Sequence, residues 1–257
     1  MDTGLHGRTA IVPGATAGLG LAVARSLAAE GANVVIGGRR GELARELAGE
    51  LPAAVGVEAD LTSAGGVPAL LDAARVSFGD VDVLVLNGGG PPPSAAADVD
   101  PAAVDDAIGR LLRPHVALVS GVLPAMRERR WGRVVAIGST GVQQPIDRLA
   151  ASNIGRAALA GYLKTLAAEV AADGVTVNMV LPGRIDTDRV AALDSAAAER
   201  EGGTADDVRR AAERAIPIGR YGRPDEFAAA VTFLASSAAS YVTGEQLRCD
   251  GGAVRAH

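Results

Sequence analysis

The sequence predicts a three-layer α/β protein, a doubly wound parallel sheet formed as one domain over residues 1–257. Three observations predict it. Short β-rich runs alternate with Ala- and Leu-rich runs of helical spacing along the whole chain. The β-rich runs are apolar without alternation, which means burial on both faces, as in a parallel sheet. No break in composition and no Gly/Ser linker divides the chain, and no internal repeat is visible. Hydrophobic residues make up 48% of the chain, enough for a large core.

The strand candidates are "RTAIVP" (8–13), "NVVIGG" (33–38), "AAVGVEAD" (53–60), "VDVLVLN" (81–87), "GRVVAIGS" (132–139), "GVTVNMVLP" (174–182) and "EQLRCDGG" (245–252). The stretches between them, such as "LAVARSLAAEG" and "GELARELAGEL", have the spacing of crossover helices. Residues 188–215 are long and polar, and they read as a helical flap over a site. The basic run "RERRWGR" (127–133) reads as a solvated turn between a helix and a strand.

Composition also excludes partners. The net charge of −5 and 3% aromatic content argue against nucleic acid, which asks for a basic face and stacking rings. The longest apolar runs are too short to span a membrane. The start "MDTGLHGRTAIV" lacks the pattern of a signal peptide, and the one cysteine, Cys249, has no partner within the chain. A cytoplasmic setting is the expectation. Three scattered histidines and one cysteine predict no metal site.

The strongest motif is "PGATAGLG" (13–20), placed between the first strand and the first helix. Gly14 permits the tight turn, Gly18 lets backbone approach a pyrophosphate, and Gly20 lets helix pack on strand, as in Rossmann-like dinucleotide sites. Thr16 and Leu19 lie in the same loop, whose helix amides face the phosphates. At the end of the second strand an NAD site places a carboxylate. Here Gly38 stands there, followed by Arg39 and Arg40, whose planar donor forks suit a 2′-phosphate. The cofactor expected is NADP(H).

Further motifs then appear in order: "EADLTS", "VLVLNGGGP", "GRVVAIGST", "VTVNMVLPGRIDTDRV" and the C-terminal "RPDEFAAAVTFLASSAASYVTGEQLRCDGG". Over nearly its whole length the chain resembles the short-chain dehydrogenase/reductase family. The resemblance implies that Asp60 and Leu61 face the adenine and that Asn87 and Gly88 line the cofactor. It also implies that Pro182, Gly183, Ile185 and Thr187 meet the nicotinamide amide and phosphates, and that Ser139 is the catalytic serine. It implies, too, a homo-oligomer, a tetramer or a dimer, built on the helix that begins at Ser152.

The resemblance departs at the centre of the chemistry. The family's catalytic Tyr lies thirteen residues after its Ser, in a YxxxK pair. That count from Ser139 reaches Ser152, with Arg156 at the Lys position. The family's helix Asn falls on Leu111, and Tyr162 and Lys164 have the wrong spacing. A phenol near a cation can protonate an alkoxide at neutral pH, whereas a Ser hydroxyl is a far weaker acid and Arg does not pass a proton. Arg156 can still hold ribose hydroxyls or offer charge to an oxyanion. Ser139, Ser152 and Arg156 are therefore the catalytic candidates, and Leu111, His115, Gln143, Gln144, Arg184 and Asp186 are candidates for the substrate pocket.

"IGSTG" is not a GxSxG nucleophile elbow, so hydrolase chemistry is not expected. The reading is an NADPH-dependent reductase of a small, activated acceptor such as an iminium, an enone or a quinone-like ring, with a non-standard proton path. The alternatives are non-redox chemistry on the same fold (dehydration or cyclisation) and an inactive cofactor-binding protein.

Overall fold

A computed structural model describes residues 2–255. Seven strands form one sheet: β1 (Thr9–Val12), β2 (Asn33–Gly38), β3 (Ala54–Glu58), β4 (Val83–Leu86), β5 (Gly132–Ile137), β6 (Val175–Pro182) and β7 (Gln246–Cys249). Their order is β3-β2-β1-β4-β5-β6-β7, and every neighbouring pair is parallel. All seven expected strands are present. Several are shorter than their apolar runs because the outer residues turn into the loops that carry the site, as at Asn87 and Ser139.

Nine helices cover the sheet among the described residues: α1 (Gly18–Ala29), α2 (Gly41–Gly49), α3 (Gly66–Ser77), α4 (Pro101–Leu111), α5 (Arg113–Glu128), α6 (Ala150–Val170), α7 (Asp188–Glu201), α8 (Ala205–Ala215) and α9 (Pro224–Ala235). The strands are buried on both faces, so two cores form. One packs Val23 and Leu27 of α1, Ala44 and Leu47 of α2, and Phe227 and Val231 of α9 against the sheet. The other packs Leu70 of α3, Leu118 and Met126 of α5, and Leu159 and Leu163 of α6. Each fully buried Leu or Phe side chain contributes on the order of 1.5–3 kcal/mol. The strand order reverses between β1 and β4, and the crevice of such a sheet opens there, at the carboxyl ends of the strands.

One expectation needs correction. Helix α6 begins at Ala150, two residues before Ser152, because Ser94 from the β4–α4 loop caps it: Ala150 N donates to Ser94 O and Ala151 N to Ser94 Oγ. The basic run 127–133 is exposed over residues 127–130, where α5 ends in a turn before β5, as expected, and its cations also have partners remote in sequence. Arg127 pairs with Asp173, Arg129 with Asp80 and Asp82, and Arg130 Nη2 donates to Ala172 O. Arg133 is 3% exposed, donates to the carbonyls of Ser236 and Gly132, and shares the Trp131 ring with Arg8. The cations close the amino end of the sheet by meeting partners remote in sequence.

The polar segment 188–215 folds as two helices, α7 and α8. Its helices are capped by Thr187 and by the reciprocal Thr204–Asp207 box.

Candidate active site

The crevice is built first by glycine. Gly14 and Gly18 have φ of 60° and 55°, the left-handed region in which a Cβ is strained. A Cβ on Gly20 would lie 2.5 Å from Gly14 O and 2.7 Å from Asn87 Nδ2, so this position admits no side chain without displacing backbone. Asn87 braces the loop from the end of β4, donating Nδ2 to Pro13 O at 3.0 Å and to Gly14 O at 3.2 Å. Helix α1 starts at Gly18 with no side-chain cap and no acidic residue in its first turn. Its first amides therefore face the crevice and favour an anion there. Leu19 packs on the core and holds the helix start in place.

The end of β2 is set by Thr16. A Cβ on Gly38 would lie 2.6 Å from Thr16 Cγ2, and Arg40 Nη2 donates to both Thr16 O and Thr16 Oγ1 at 3.1 Å. A carboxylate side chain at position 38 would have to displace that threonine. Arg40 is thus occupied in shaping the loop, while Arg39 is exposed and its charge helps lower the pKa of Asp60. The main cause of that lowering is Thr62, whose amide and hydroxyl donate to Asp60 Oδ1 at 2.9 and 2.7 Å. Leu61 and His115 lie behind Gly88: a methyl on Gly88 would sit 3.4 Å from Leu61 Cδ1 and 3.8 Å from His115 Nε2.

The β6–α7 loop reaches over from the other side. Gly183 N donates to Cys249 O at 3.0 Å, which anchors Pro182-Gly183 on β7. Ile185 is 2% exposed and bridges to Gly222. A methyl on Gly18 would lie 3.7 Å from Thr187 Cγ2, so Thr187 and the glycine loop share one rim. These residues fit a dinucleotide: a backbone cradle, uncapped helix amides, a strand end without a carboxylate, and an exposed cation beyond it.

The β5–α6 side is different in kind. Ser139 Oγ accepts from Gly141 N at 3.0 Å and caps the turn after β5. Ser152 is 7% exposed on the first turn of α6, and its Oγ accepts from Arg156 Nε at 3.3 Å. Arg156 Nη1 donates to Ile137 O at 3.0 Å and Gly138 O at 2.8 Å. The three catalytic candidates are thus brought to one corner, with Arg156 tying the start of α6 to the end of β5. Burial, and then the charge of Arg189, pull the Arg156 guanidinium down to about 10, so it stays a cation at neutral pH. None of the chain's three tyrosines joins this corner. Tyr162 is half-buried further along α6, Tyr221 donates to Asp194 Oδ2 at 2.9 Å, and Tyr241 is fully exposed. Lys164 Nζ donates to Gly244 O.

Several expected pocket residues are placed elsewhere. Leu111 is 1% exposed and packs on Gly155, where any Cβ would come within 2.9 Å of Leu111 Cδ1 and Ala107 O. It seals α4 against α6. His115 is 2% exposed, with Nδ1 2.8 Å from Leu111 O, and burial drives its pKa below the ordinary value. A neutral ring that donates from Nδ1 leaves Nε2 as an acceptor, and Nε2 has no partner. Gln143 turns toward β7, Nε2 to Gln246 Oε1 at 3.3 Å, and Gln144 is exposed on the same turn. Arg184 binds Asp194 and Tyr221 through Nη1, and Asp186 receives both Arg209 Nη1 and Nη2 at 3.0 Å. Those pairs fasten α7 and α8 to the β6–α7 loop.

Sequence reasoning missed Ser94, Arg189, Asp194 and Tyr221. Only a fold could find them, because their partners lie 10 to 57 positions away along the chain.

The geometry agrees with what the chain is similar to. A family model described as enoyl-(acyl carrier protein) reductase matches residues 14–254. The 3-oxoacyl-(acyl-carrier-protein) reductase FabG of Salmonella typhimurium is 36% identical over 248 residues, covering 96% of this chain and 97% of that protein. The D-beta-hydroxybutyrate dehydrogenase of Cupriavidus necator is 33% identical over 256 residues, covering 96% and 98%. Among solved structures, L-sorbose reductase from Gluconobacter frateurii, complexed with NADPH and L-sorbose, matches with a TM-score of 0.92 and 30% identity over 100% of both chains. Its strands, loops and crevice therefore have close counterparts in reductases whose cofactor is seen in place.

Proposed function

The chain belongs to the short-chain dehydrogenase/reductase family, and from that premise we propose that it is an NADP(H)-dependent reductase of a small activated acceptor whose proton does not come from a tyrosine. When bound, the nicotinamide supplies a hydride. The glycine loop, braced by Asn87, and the uncapped start of α1 hold the diphosphate. Arg39 takes the 2′-phosphate, and Ile185 and Thr187 cover the nicotinamide end.

The observation that carries this reading is the contrast inside one crevice. The cofactor cradle is complete, while the corner at Ser139, Ser152 and Arg156 has hydrogen-bond donors and a fixed cation but no group that titrates near neutrality. Ser152 Oγ accepts from Arg156 and keeps its own proton to donate to a substrate oxygen or a water. Arg156 supplies positive charge beside it. An iminium, enone or quinone-like acceptor suits such a corner, because charge or conjugation already favours reduction.

The proposal extends to setting and assembly. No helix among the described residues is long and apolar enough to cross a membrane, and we place the enzyme in the cytoplasm. The exposed small residues Ala157 and Gly161 on α6 support a homo-oligomer, tetramer or dimer, through that helix. The flap of α7 and α8 closes over the substrate.

The test is cofactor consumption. Loss of NADPH absorbance, matched by reduced product from an iminium, enone or quinone panel, is the expected result. Product formed without cofactor oxidation would assign the fold to non-redox chemistry. Tight NADPH binding without turnover of any acceptor would leave a binding protein.

A further inference from the structure

We propose that Arg156 and Arg189 form a two-guanidinium site for a carboxylate of the substrate, at the mouth of the crevice beside Gly90. This rests on the reductase reading above and names the class of acceptor: an anionic, carboxylate-bearing molecule.

The two arginines come from different elements. Arg156 stands on α6 and Arg189 on the first turn of α7, the start of the flap. They converge on the loop after β4. A methyl on Gly90 would lie 3.1 Å from Arg189 Nη2 and 3.9 Å from Arg156 Nη2, so the two nitrogens are at most about 7 Å apart. A carboxylate can give one oxygen to each at ordinary charge-assisted lengths of roughly 2.7–2.9 Å. Gly90 leaves the space open: a methyl there would crowd Arg189 Nη2 and come into ordinary contact with Arg156 Nη2.

The charges near this point are unbalanced. Arg156 spends Nε on Ser152 and Nη1 on two carbonyls, and its Nη2 makes no hydrogen bond among the described residues. Among the described residues no carboxylate pairs with either arginine. Of the acids near Arg189 in sequence, Asp186 is held by Arg209 and Asp194 by Arg184, while the adjacent Asp188 is exposed and forms no ion pair with it. Two like charges brought together without a counterion favour an anion between them. Their mutual effect is felt at Arg156, whose pKa Arg189 helps to lower.

The place argues for substrate rather than cofactor. The diphosphate cradle lies on the β1 side, between the glycine loop and Thr187. Arg156 is bonded to Gly138 O, directly before Ser139, on the β5 side where an acceptor must sit to reach Ser152. Because Arg189 belongs to the flap, an anion bridging it to Arg156 would also draw the flap closed over the reacting group. That couples recognition of the carboxylate to exclusion of water.

The probe is 4-oxo-4-phenylbutanoate and its methyl ester, which differ in the one charge. Each is titrated calorimetrically into the NADP⁺-saturated protein and into its Arg189→Gln variant. The acid is expected to bind about tenfold more tightly than the ester, and Arg189→Gln is expected to erase that difference while leaving NADP⁺ affinity unchanged. Equal affinity of acid and ester, or no binding of the acid at all, overturns the site. A tenfold loss of NADP⁺ affinity in Arg189→Gln, with the acid and ester unaffected, assigns the arginine to a cofactor phosphate and also overturns it. Failure of the unmutated protein to take up NADP⁺ would instead defeat the reductase reading, a separate result. Arg189→Lys, which keeps the charge on a shorter reach of donors, is expected to retain part of the preference and guards against a folding artefact.

Discussion

The two walls of the crevice are built by different means. The β1–β4 wall is made of backbone: glycines, main-chain carbonyls received by Asn87, and the free amides of α1. The β5–α6 wall is made of side chains: Ser139, Ser152 and Arg156, locked to each other and to the carbonyls of Ile137 and Gly138. A wall of backbone tolerates little change in sequence, because any added Cβ meets main chain. A wall of side chains can exchange its chemistry while the fold stands. Arg156 shows how: its guanidinium spans the carbonyls of Ile137 and Gly138 and the Ser152 hydroxyl at once, so one side chain ties the start of α6 to the end of β5.

Mutations can break that comparison, and the largest effect is expected at Arg39, the exposed cation beside the backbone wall that is not bonded to Thr16. Arg39→Ala should weaken NADPH binding by roughly 1.5–3 kcal/mol, the worth of a charge-assisted pair, and leave NADH binding nearly unchanged. Calorimetry with both cofactors checks it, and equal affinities in the unmutated protein would defeat the assignment.

Arg156→Ala tests the opposite wall. It strips hydrogen bonds from the carbonyls of Ile137 and Gly138 and from Ser152. A buried acceptor left unpaired costs about 1–3 kcal/mol, so urea unfolding should show a loss of that size alongside weaker NADPH binding. A variant as stable as the parent, with cofactor affinity intact, would mean that Arg156 is a surface residue in solution.

His115 probes the seam behind both walls. Its pKa is held below the ordinary 6.5, chiefly by burial. The unfolded chain therefore takes up a proton that the folded chain refuses, and stability should fall as the pH drops below about 6.5. In His115→Asn that part of the slope should vanish. Thermal unfolding of both proteins between neutral and mildly acid pH is the measurement, and parallel curves would contradict the neutral, buried ring.

Ser152→Ala should have the smallest effect on binding. Cofactor affinity is expected to stay within about 0.5 kcal/mol, while kcat or KM for an acceptor changes. Should both kinetic constants stay at their original values, the hydroxyl takes no part in the reaction.

The sequence alone was enough for the architecture and for the backbone wall. Buried parallel strands are uniformly apolar, crossover helices carry a 3.6-residue period, and a glycine loop between strand and helix has a fixed spacing, so all three are local signals. The expectation that Ser152 and Arg156 fall at the family's Tyr and Lys positions is equally local, resting on a count of thirteen residues from Ser139. What polar side chains face is not local. Arg184 and Asp186 look identical to pocket residues in the sequence, and only the fold shows them paired with Asp194, Tyr221 and Arg209. The exposed run at 127–130 is legible as a solvated turn, but its partners Asp80, Asp82 and Asp173 are brought to it only by the fold. Leu111 turns inward because Gly155 lets α6 close on α4, and His115, on α5, is buried with its Nδ1 against Leu111 O. Arg189 gains meaning only where it meets Arg156 over Gly90. A long side chain on a polar segment can satisfy its charge in many ways, and the choice among them is made by the partners that tertiary packing brings within hydrogen-bond reach.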